Sequence, residues 1–521
     1  MPFPSSRVML ARTTSATPWG VEARPVQVEV DVHWGELPTV KMVGLADAAV
    51  RESRERVRRA IRNSGIRLPP RVVVVNLAPA DLRKEGNHLD LGIALALLAG
   101  NEEVPQEALD GRLFAGELGL DGSLRPVRGG LAIAELAGAL GFSEVVLPAP
   151  TACEAAALGT VRAIPARTLA EALDHVLGRR RLDPARALDG MAAPGEDPDL
   201  ADVRGQEAAK RALEVAAAGG HNLLLIGPPG AGKTMLARRL PGLLPPLTRA
   251  EAIDVTKIHS LAADEPRLGQ LKGLVSRRPF RSPHSGISTA ALIGGGRVPR
   301  PGEVSLAHCG VLFLDELPEF RRESLEALRQ PMEEGLVTVA RTRARLRFPA
   351  RFSLVASCNP CGCGHLGDAA RECRCSALQV ERYRSRVSGP LLDRIDLHVE
   401  VPAVSLAELR SPPGEGTADV AARVAAARDR QLARFGRDSP APVNAAMDPA
   451  ALECHAEPDE SGRKLLDAAF ERLGLSARAV HRVLKVARTI ADLAGSERIR
   501  APHVAEAIQY RSLDRRLTEE P

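Results

Sequence analysis

The stretch Gly227-Pro228-Pro229-Gly230-Ala231-Gly232-Lys233-Thr234 follows the spacing G-x-x-x-x-G-K-[ST]. In such a loop the glycines let backbone N–H groups turn inward on phosphate oxygens, the lysine reaches the β and γ oxygens, and the hydroxyl ligates Mg²⁺. Cleaving a triphosphate also needs a second anchor for the metal and a group that orients water. Val311-Leu312-Phe313-Leu314-Asp315-Glu316 ends an apolar run in two carboxylates, so Asp315 can complete the metal shell and Glu316 can polarise the water. A third run, 351–359, ends in Asn359, which can sense the γ-phosphate or the water; a plain turn before Pro360 is the alternative.

These residues need a sheet that brings distant strand ends together. The apolar runs 222–226, 311–314 and 352–357 are each followed by a polar or glycine-rich segment, the pattern of a parallel sheet with its chemistry at one edge. Upstream, residues 24–177 alternate β-branched runs such as 71–76 with helix-like stretches at 48–63 and 90–98, which predicts an α/β domain within 1–178. A linker rich in Pro, Gly and Arg at 179–200 separates it from a nucleotide-binding core at 201–410. After the breaker cluster 411–417, helical periodicity over 418–435, 459–473, 477–493 and 502–513 predicts an all-helical unit at 418–521.

A chain of 521 residues at about 150 per domain is expected to hold three to four domains. Its 70 Lys and Arg against 65 Asp and Glu leave a net +5, so charge alone neither demands nor forbids a polyanionic partner. No apolar run is long enough to span a bilayer, and residues 7–11 lack the apolar stretch of a secretory signal; a cytoplasmic protein without a membrane partner is expected. Of its eight cysteines, Cys361, Cys363, Cys373 and Cys375 crowd into one short segment, which fits reduced thiols or a metal better than a disulfide framework. Two C-x-C pairs with intervening glycines can place four thiolates around one structural Zn²⁺; a metal-free loop is the alternative.

The order of phosphate loop, acidic strand and polar strand end, together with Arg281-Ser282-Pro283-His284, Ala291–Gly296 and the run Leu391-Leu392-Asp393-Arg394-Ile395-Asp396, resembles the ComM/YifB family in the magnesium-chelatase-like branch of AAA+ ATPases. The likeness extends from about residue 43 to about 513. It implies an α/β AAA+ phosphate-loop core, an N-terminal α+β domain similar to ribosomal-protein-S5-like and Lon-protease-like domains, and a C-terminal helical lid. It also implies a homo-oligomeric ring, a hexamer, in which Arg394 reaches the neighbouring subunit's ATP, Arg478 senses phosphate from the lid, and Gly205 and Gln206 border the adenine. An arginine lent by the next subunit neutralises transition-state charge and makes hydrolysis depend on assembly. One departure is Ser285, where related sequences commonly carry a second histidine after the equivalent of His284. Lon-like proteases carry a serine near 86–91 and a lysine near 129–134; neither residue type stands in those stretches here, so a non-proteolytic domain is expected.

Seven Lys and Arg, and no acid, lie between Arg267 and Pro301, and Arg341-Thr342-Arg343-Ala344-Arg345-Leu346-Arg347 forms a second basic element. Set at a ring pore, Arg281, Arg297, Arg341, Arg343 and Arg345 would hold DNA phosphates without reading sequence; solvated faces or inter-subunit ion pairs are the alternative. Only Phe280 and Phe348 could stack on bases there. The resemblance implies an ATP-driven DNA motor of the helicase or branch-migration type, with a magnesium-chelatase-type motor that remodels a protein partner as the other reading.

Overall fold

The computed structural model describes residues 9–33, 39–44, 47–82, 84, 86–187, 198–262, 273–296, 299–341, 344–367, 371–436, 439, 442–474 and 476–511. Near the N-terminus, Met9–Trp19 and Glu22–His33 pair antiparallel through a two-residue turn, and Gly20 takes the left-handed conformation (φ 64°) that this turn requires. Val26, Val28, Val30 and Val32 alternate onto the buried face. The hairpin sits inside a mixed seven-stranded sheet, flanked by Val72–Ala78 and Val40–Val43 on one side and by Arg112–Phe114, Glu144–Pro148 and Arg162–Ala166 on the other. Helix Asp90–Gly100 is buried at every position, which explains its apolar composition after Asp90, whose carboxylate is paired with Arg56. Helix Ala48–Asn63 begins where the Asp47 carboxylate accepts from the Val50 N–H.

The second sheet has the order Phe280–Arg281, Val311–Leu314, Ser353–Cys358, Leu223–Ile226, Leu397–Glu400, and every pairing is parallel. Both faces are covered: Leu223 and Leu225 enter one core with the C-terminal helices, while Leu224 and Ile226 enter another with Leu312, Leu314 and Phe348. That arrangement accounts for strands that are apolar throughout rather than alternating. The phosphate loop leaves the carboxyl end of Leu223–Ile226, with the acidic and amide-bearing strands on the same side of it.

The C-terminal helices Thr417–Phe435, Glu460–Leu473, Ala477–Leu493 and Ala501–Gln509 match the expected unit; the last stops short of the expected 513, and residues beyond 511 lie outside the described ones. Val424, Val483, Val486 and Ile490 share the core of the sheet. A buried polar lock adds direction: Asp396 accepts from Arg482 at 2.6 Å and lies 3.3 Å from His221, while the Asn222 N–H reaches it at 3.2 Å. Burial alone would raise the Asp396 carboxyl; the His221 hydrogen bond and the Arg482 charge outweigh it and hold the group well below the usual carboxylate range.

One helix of the core, Arg249–Ala262, docks the N-terminal domain. Lys257 pairs with Glu135 at 2.6 Å, Ser260 Oγ accepts from the Gly129 N–H, and Arg249 reaches the carbonyls of Ala157 and Leu158. On another side, Trp19 and Val21 pack against the core that holds Leu346 and Phe348. The N-terminal turn therefore rests on the hairpin formed by Leu336–Arg341 and Ala344–Pro349.

Candidate functional site: a phosphate loop beside a cysteine cluster

Gly227 leaves the sheet under tight constraint. Its N–H donates to the Cys358 carbonyl at 3.2 Å, and a Cβ there would run into the Val401 carbonyl. Gly230 (φ 78°) and Gly232 (φ 91°) adopt the left-handed turn that opens the loop, and a Cβ on Gly230 would meet only open space. Pro228, Pro229 and Ala231 complete the arc into helix Lys233–Ala237. Lys233 is buried, which lowers its affinity for a proton. Its Nζ donates to the carbonyls of Gly227 (2.6 Å) and Pro228 (2.9 Å) and to Asn359 Oδ1 (3.1 Å). Asn359 thus reaches the phosphate-loop lysine from a strand end 126 positions away in the chain.

Thr234 Oγ1 donates to Asp315 Oδ2 at 2.9 Å, joining the two expected metal ligands. The other Asp315 oxygen accepts from Ser357 Oγ, and that hydroxyl in turn accepts from the Glu316 N–H at 3.1 Å. Ser357 is a positioning residue that the sequence reading passed over: it sits on Ser353–Cys358, the strand paired with both Leu223–Ile226 and Val311–Leu314, and ties the acidic strand end to its neighbour. A hydroxyl and a carboxylate held side by side are the hard oxygen donors that Mg²⁺ takes, so the residues fit that ion.

Glu316 is exposed and adopts a left-handed backbone (φ 54°), as does Gln206 (φ 59°). Non-glycine residues rarely do so, and such strain concentrates at functional sites. In Gln206 it directs the side-chain amide to the carbonyls of Ala231 (3.3 Å) and Pro402 (2.6 Å), so Gln206 clasps the phosphate loop to the segment after Leu397–Glu400, while Gly205 lies against Glu408.

Arg394 lies apart from this group. Within one chain its guanidinium pairs with Glu333 and donates to the Pro390 carbonyl at 2.6 Å, and not with Asp393 or Asp396. Arg478 is exposed in the first turn of Ala477–Leu493, with no hydrogen bond or ion pair among the described residues; Arg482, one turn on, makes the Asp396 lock.

The basic segments divide. Arg281 forms a bidentate pair with Glu303 at 2.6 and 2.7 Å, an acid just past the stretch that looked free of them. Arg278 is spent on the carbonyls of Pro245 and Cys309 and on Glu251. Arg297 and Arg343 lie outside the described residues, and Arg341 is placed by its backbone alone, opposite Ala344 near the hairpin tip. On the hairpin, Arg345 and Arg347 face outward, while Leu346 and Phe348 between and after them point into the core. Neither ring offers itself for stacking on bases: Phe348 is buried, and Phe280 stacks on Phe313.

Cys361, Cys363, Cys373 and Cys375 converge, with their sulfur atoms all within 4.8 Å of one another. Three separations are 3.4, 3.6 and 3.6 Å, too long for disulfides. Backbone N–H groups of His365 and Arg374 point at Cys363 and hold its thiol below the ordinary value. Such a set of four can take one metal ion; nothing in the sequence spacing alone revealed that it would stand against the phosphate loop.

Comparison with known proteins decides the lineage. The family description "Magnesium chelatase, subunit ChlI" matches residues 199–409, its N-terminal counterpart "Subunit ChlI of Mg-chelatase" matches 28–151, and "Magnesium chelatase, subunit ChlI C-terminal" matches 414–511. The chain is 45% identical over 500 residues to the uncharacterized protein YifB of Escherichia coli, covering 96% of each chain. It is 43% identical over 514 residues to competence protein ComM of Haemophilus influenzae, covering 98% of each. The chain belongs to the magnesium-chelatase-like ComM/YifB family. Likeness to the magnesium-chelatase 38 kDa subunit of Cereibacter sphaeroides is narrower, 27% over 171 residues, or 30% of this chain and 51% of that one. Membership in the family makes this an AAA+ core of ATPase type, with ATP and Mg²⁺ as its cofactors. Among the described residues no helix is long and apolar enough to cross a membrane.

Proposed function

We propose that this protein is a ring-forming motor that couples ATP hydrolysis to movement along DNA, of the helicase or branch-migration type. The observation that carries the hydrolytic half is the convergence of Lys233, Thr234, Asp315, Glu316, Ser357 and Asn359 at one sheet edge. Lys233 and the loop amides bind and orient the phosphates, Thr234 and Asp315 would hold Mg²⁺, and Glu316 accepts a proton from the attacking water at its carboxylate. The metal, when bound, supplies positive charge beside the phosphate oxygens. Asn359, through its amide oxygen on Lys233, links the strand end to the lysine that touches the nucleotide.

Assembly into a hexameric ring is supported by the position of Arg394 in its motif. The Arg394 side chain is 11% exposed and its partner Glu333 58%, so reaching the phosphates of a neighbouring subunit's ATP requires Glu333 to release it. Arg478 adds a second guanidinium from the lid.

DNA as the track is supported by Arg345 and Arg347, which project from one face of the hairpin with no ion pair among the described residues. In sequence Arg341 and Arg343 stand beside them, while Arg297 belongs to the preceding basic segment; Arg281 is committed to Glu303 and drops out. With both nearby rings packed inward, contact is to the sugar–phosphate backbone and independent of sequence. The Haemophilus relative's name, a competence protein, agrees with a DNA substrate. Four reduced thiols in one cluster fit the cytoplasm, where they serve as a structural Zn²⁺ site. A motor that remodels a protein partner is the second reading, favoured by the partial likeness to the magnesium-chelatase subunit.

The test is ATP turnover with and without single-stranded, duplex and four-way-junction DNA, repeated with Arg345→Ala/Arg347→Ala. DNA should stimulate the parent chain, and the double variant should bind DNA more weakly with a salt slope reduced by about 2 while basal turnover stays unchanged. Turnover indifferent to every DNA, with no salt-dependent binding, would transfer the reading to the protein-remodelling motor.

A further inference from the structure

The cysteine cluster is covalently the continuation of Asn359: Cys361 begins two residues after the amide that holds Lys233. Its loop turns back at Gly364, which takes a left-handed conformation (φ 85°) and whose N–H donates to the Cys361 carbonyl at 3.0 Å. That turn brings Gly364 against the phosphate loop: a Cβ there would lie 2.6 Å from Pro229 Cδ and 2.9 Å from Pro229 Cγ. Glycine is required by this approach as well as by its φ. The cysteine loop and the phosphate loop are therefore in van der Waals contact through Gly364 and Pro229, and share Asn359 at their base.

Apolar packing behind the loop is incomplete among the described residues. A cavity of about 240 Å³, floored by Leu224, Ile226 and Leu317, lies between Leu366 and Gly367 of the loop and Tyr383, Arg384 and Val387. Leu366 is 37% exposed, and a Cβ on Gly362 or Gly367 would meet nothing within 4 Å. The thiols do supply a fixed point. Four sulfurs around a tetrahedral Zn²⁺ at about 2.3 Å stand about 3.8 Å apart, and the separations of 3.4 to 3.6 Å lie within a few tenths of that. The N–H of Cys375 also points at Cys373 Sγ (3.5 Å), and those of His365 and Arg374 at Cys363, the hydrogen bonding that orients thiolate ligands.

We propose that Cys361, Cys363, Cys373 and Cys375 bind one Zn²⁺ and that this centre, through Gly364 on Pro229, holds the phosphate loop in its nucleotide-receiving shape, so that nucleotide affinity depends on zinc. The part concerning affinity rests on the nucleotide-binding reading above; the part concerning metal and loop shape does not. The chain would thus be a motor whose phosphate site is set by a tetrathiolate metal from outside the phosphate-binding motif.

Three measurements on the full chain test this. Zinc is counted by elemental analysis after purification without chelator, hydrogen exchange is followed in peptides covering 227–234 without nucleotide, and ADP affinity is titrated. The parent chain should carry one zinc per chain; Cys373→Ser/Cys375→Ser should carry none, exchange faster in the phosphate loop and bind ADP at least tenfold more weakly. Gly364→Ala, which leaves every thiol in place, should keep its zinc yet speed exchange at 227–234 and weaken ADP several-fold, and it carries the test if the cysteine variant does not fold. Zinc well below one per chain in the parent overturns the site. One zinc per chain with phosphate-loop exchange unaltered in both variants overturns the coupling. Full zinc and altered exchange in a parent that binds no ADP would sink the nucleotide reading and leave the metal brace standing.

Discussion

Two glycine turns in this chain lead into helices, and they end in opposite chemistry. Gly230-Ala231-Gly232 opens the helix that begins at Lys233, and the space where a side chain would grow from Gly230 is empty. Gly129-Gly130 opens helix Gly130–Ala139 in the N-terminal domain, and there the space is filled: a Cβ on Gly130 would lie 2.5 Å from Thr151 Cγ2 and 3.1 Å from the Thr151 carbonyl. The first helix end presents N–H groups to a ligand. In the second, the Leu131 N–H already donates to the Glu154 carboxylate at 3.1 Å, and the Gly129 N–H is used on Ser260 to dock the core helix. A helix N-terminus attracts an anion in either case. Here one helix end is left for the phosphates of the nucleotide and the other is capped by a carboxyl of the protein itself. The difference turns a shared local geometry into a binding site in one domain and a structural joint in the other.

The largest effect should come from breaking the open turn. Lys233→Ala removes the ammonium that bridges Gly227, Pro228 and Asn359. Turnover should fall at least a hundredfold, the loss expected when one donor to the developing charge disappears, and nucleotide binding should fall with it. Glu316→Gln sharpens the assignment because its side chain is exposed and makes no hydrogen bond or ion pair among the described residues, so ATP binding should survive while turnover is lost. Equilibrium nucleotide binding beside single-turnover hydrolysis separates the two. Undiminished binding in the lysine variant would refute the role of the open turn.

How much of this was legible in the sequence depended on whether the partners were contiguous. The phosphate loop and the acidic pair are local motifs on strands whose apolar runs are continuous, and Leu223–Ile226, Val311–Leu314 and Ala477–Leu493 lie where periodicity placed them. Boundaries shifted by one residue where a cap decided them, as at Asp459, whose carboxylate accepts from the Gly462 N–H and so stands outside its helix. What the sequence hid was the relations between distant segments that no motif announces. Glu303 on Arg281, Glu333 on Arg394, Ser357 between Asp315 and Glu316, and Gly364 on Pro229 pair residues whose local surroundings are ordinary. A basic run free of local acids proved partly neutralised once the chain folded, Arg278 by Glu251 and Arg281 by Glu303, because an ion pair needs proximity in space and not in sequence.

The closed turn can be broken at Gly130. Gly130→Ala forces a methyl group onto Thr151, and overpacking of this kind costs about 2–3 kcal/mol. Thr151→Ser removes the Cγ2 atom that is struck and keeps the hydroxyl that bonds the Val127 N–H, so the double variant should regain part of the loss. Urea unfolding of the three chains measures it. Equal stability of Gly130→Ala and the parent would mean that the turn is not closed.

The smallest effect discriminates the two helix ends most finely. Glu154 is fully buried, and burial raises its carboxyl to about 7, against the opposing hydrogen bonds from Ser260 and the Leu131 N–H. A carboxyl that is harder to ionise when folded weakens the protein as pH rises: the unfolded chain loses its proton near the ordinary value of 4.5, the folded one near 7, and the cost accumulates between them and is constant above. Each unit is worth about 1.4 kcal/mol, so even half of this displacement amounts to about 1.7 kcal/mol. Glu154→Gln keeps an oxygen for the Leu131 N–H and removes the charge. Compared with the parent it should gain about that much stability at pH 8 and nothing comparable at pH 4.5, read from melting curves at both pH values. The opposite result, a loss that grows toward pH 8, would show that the helix end holds the carboxylate as a favourable ion. The closed turn would then be doing with Glu154 what the open one does with phosphate.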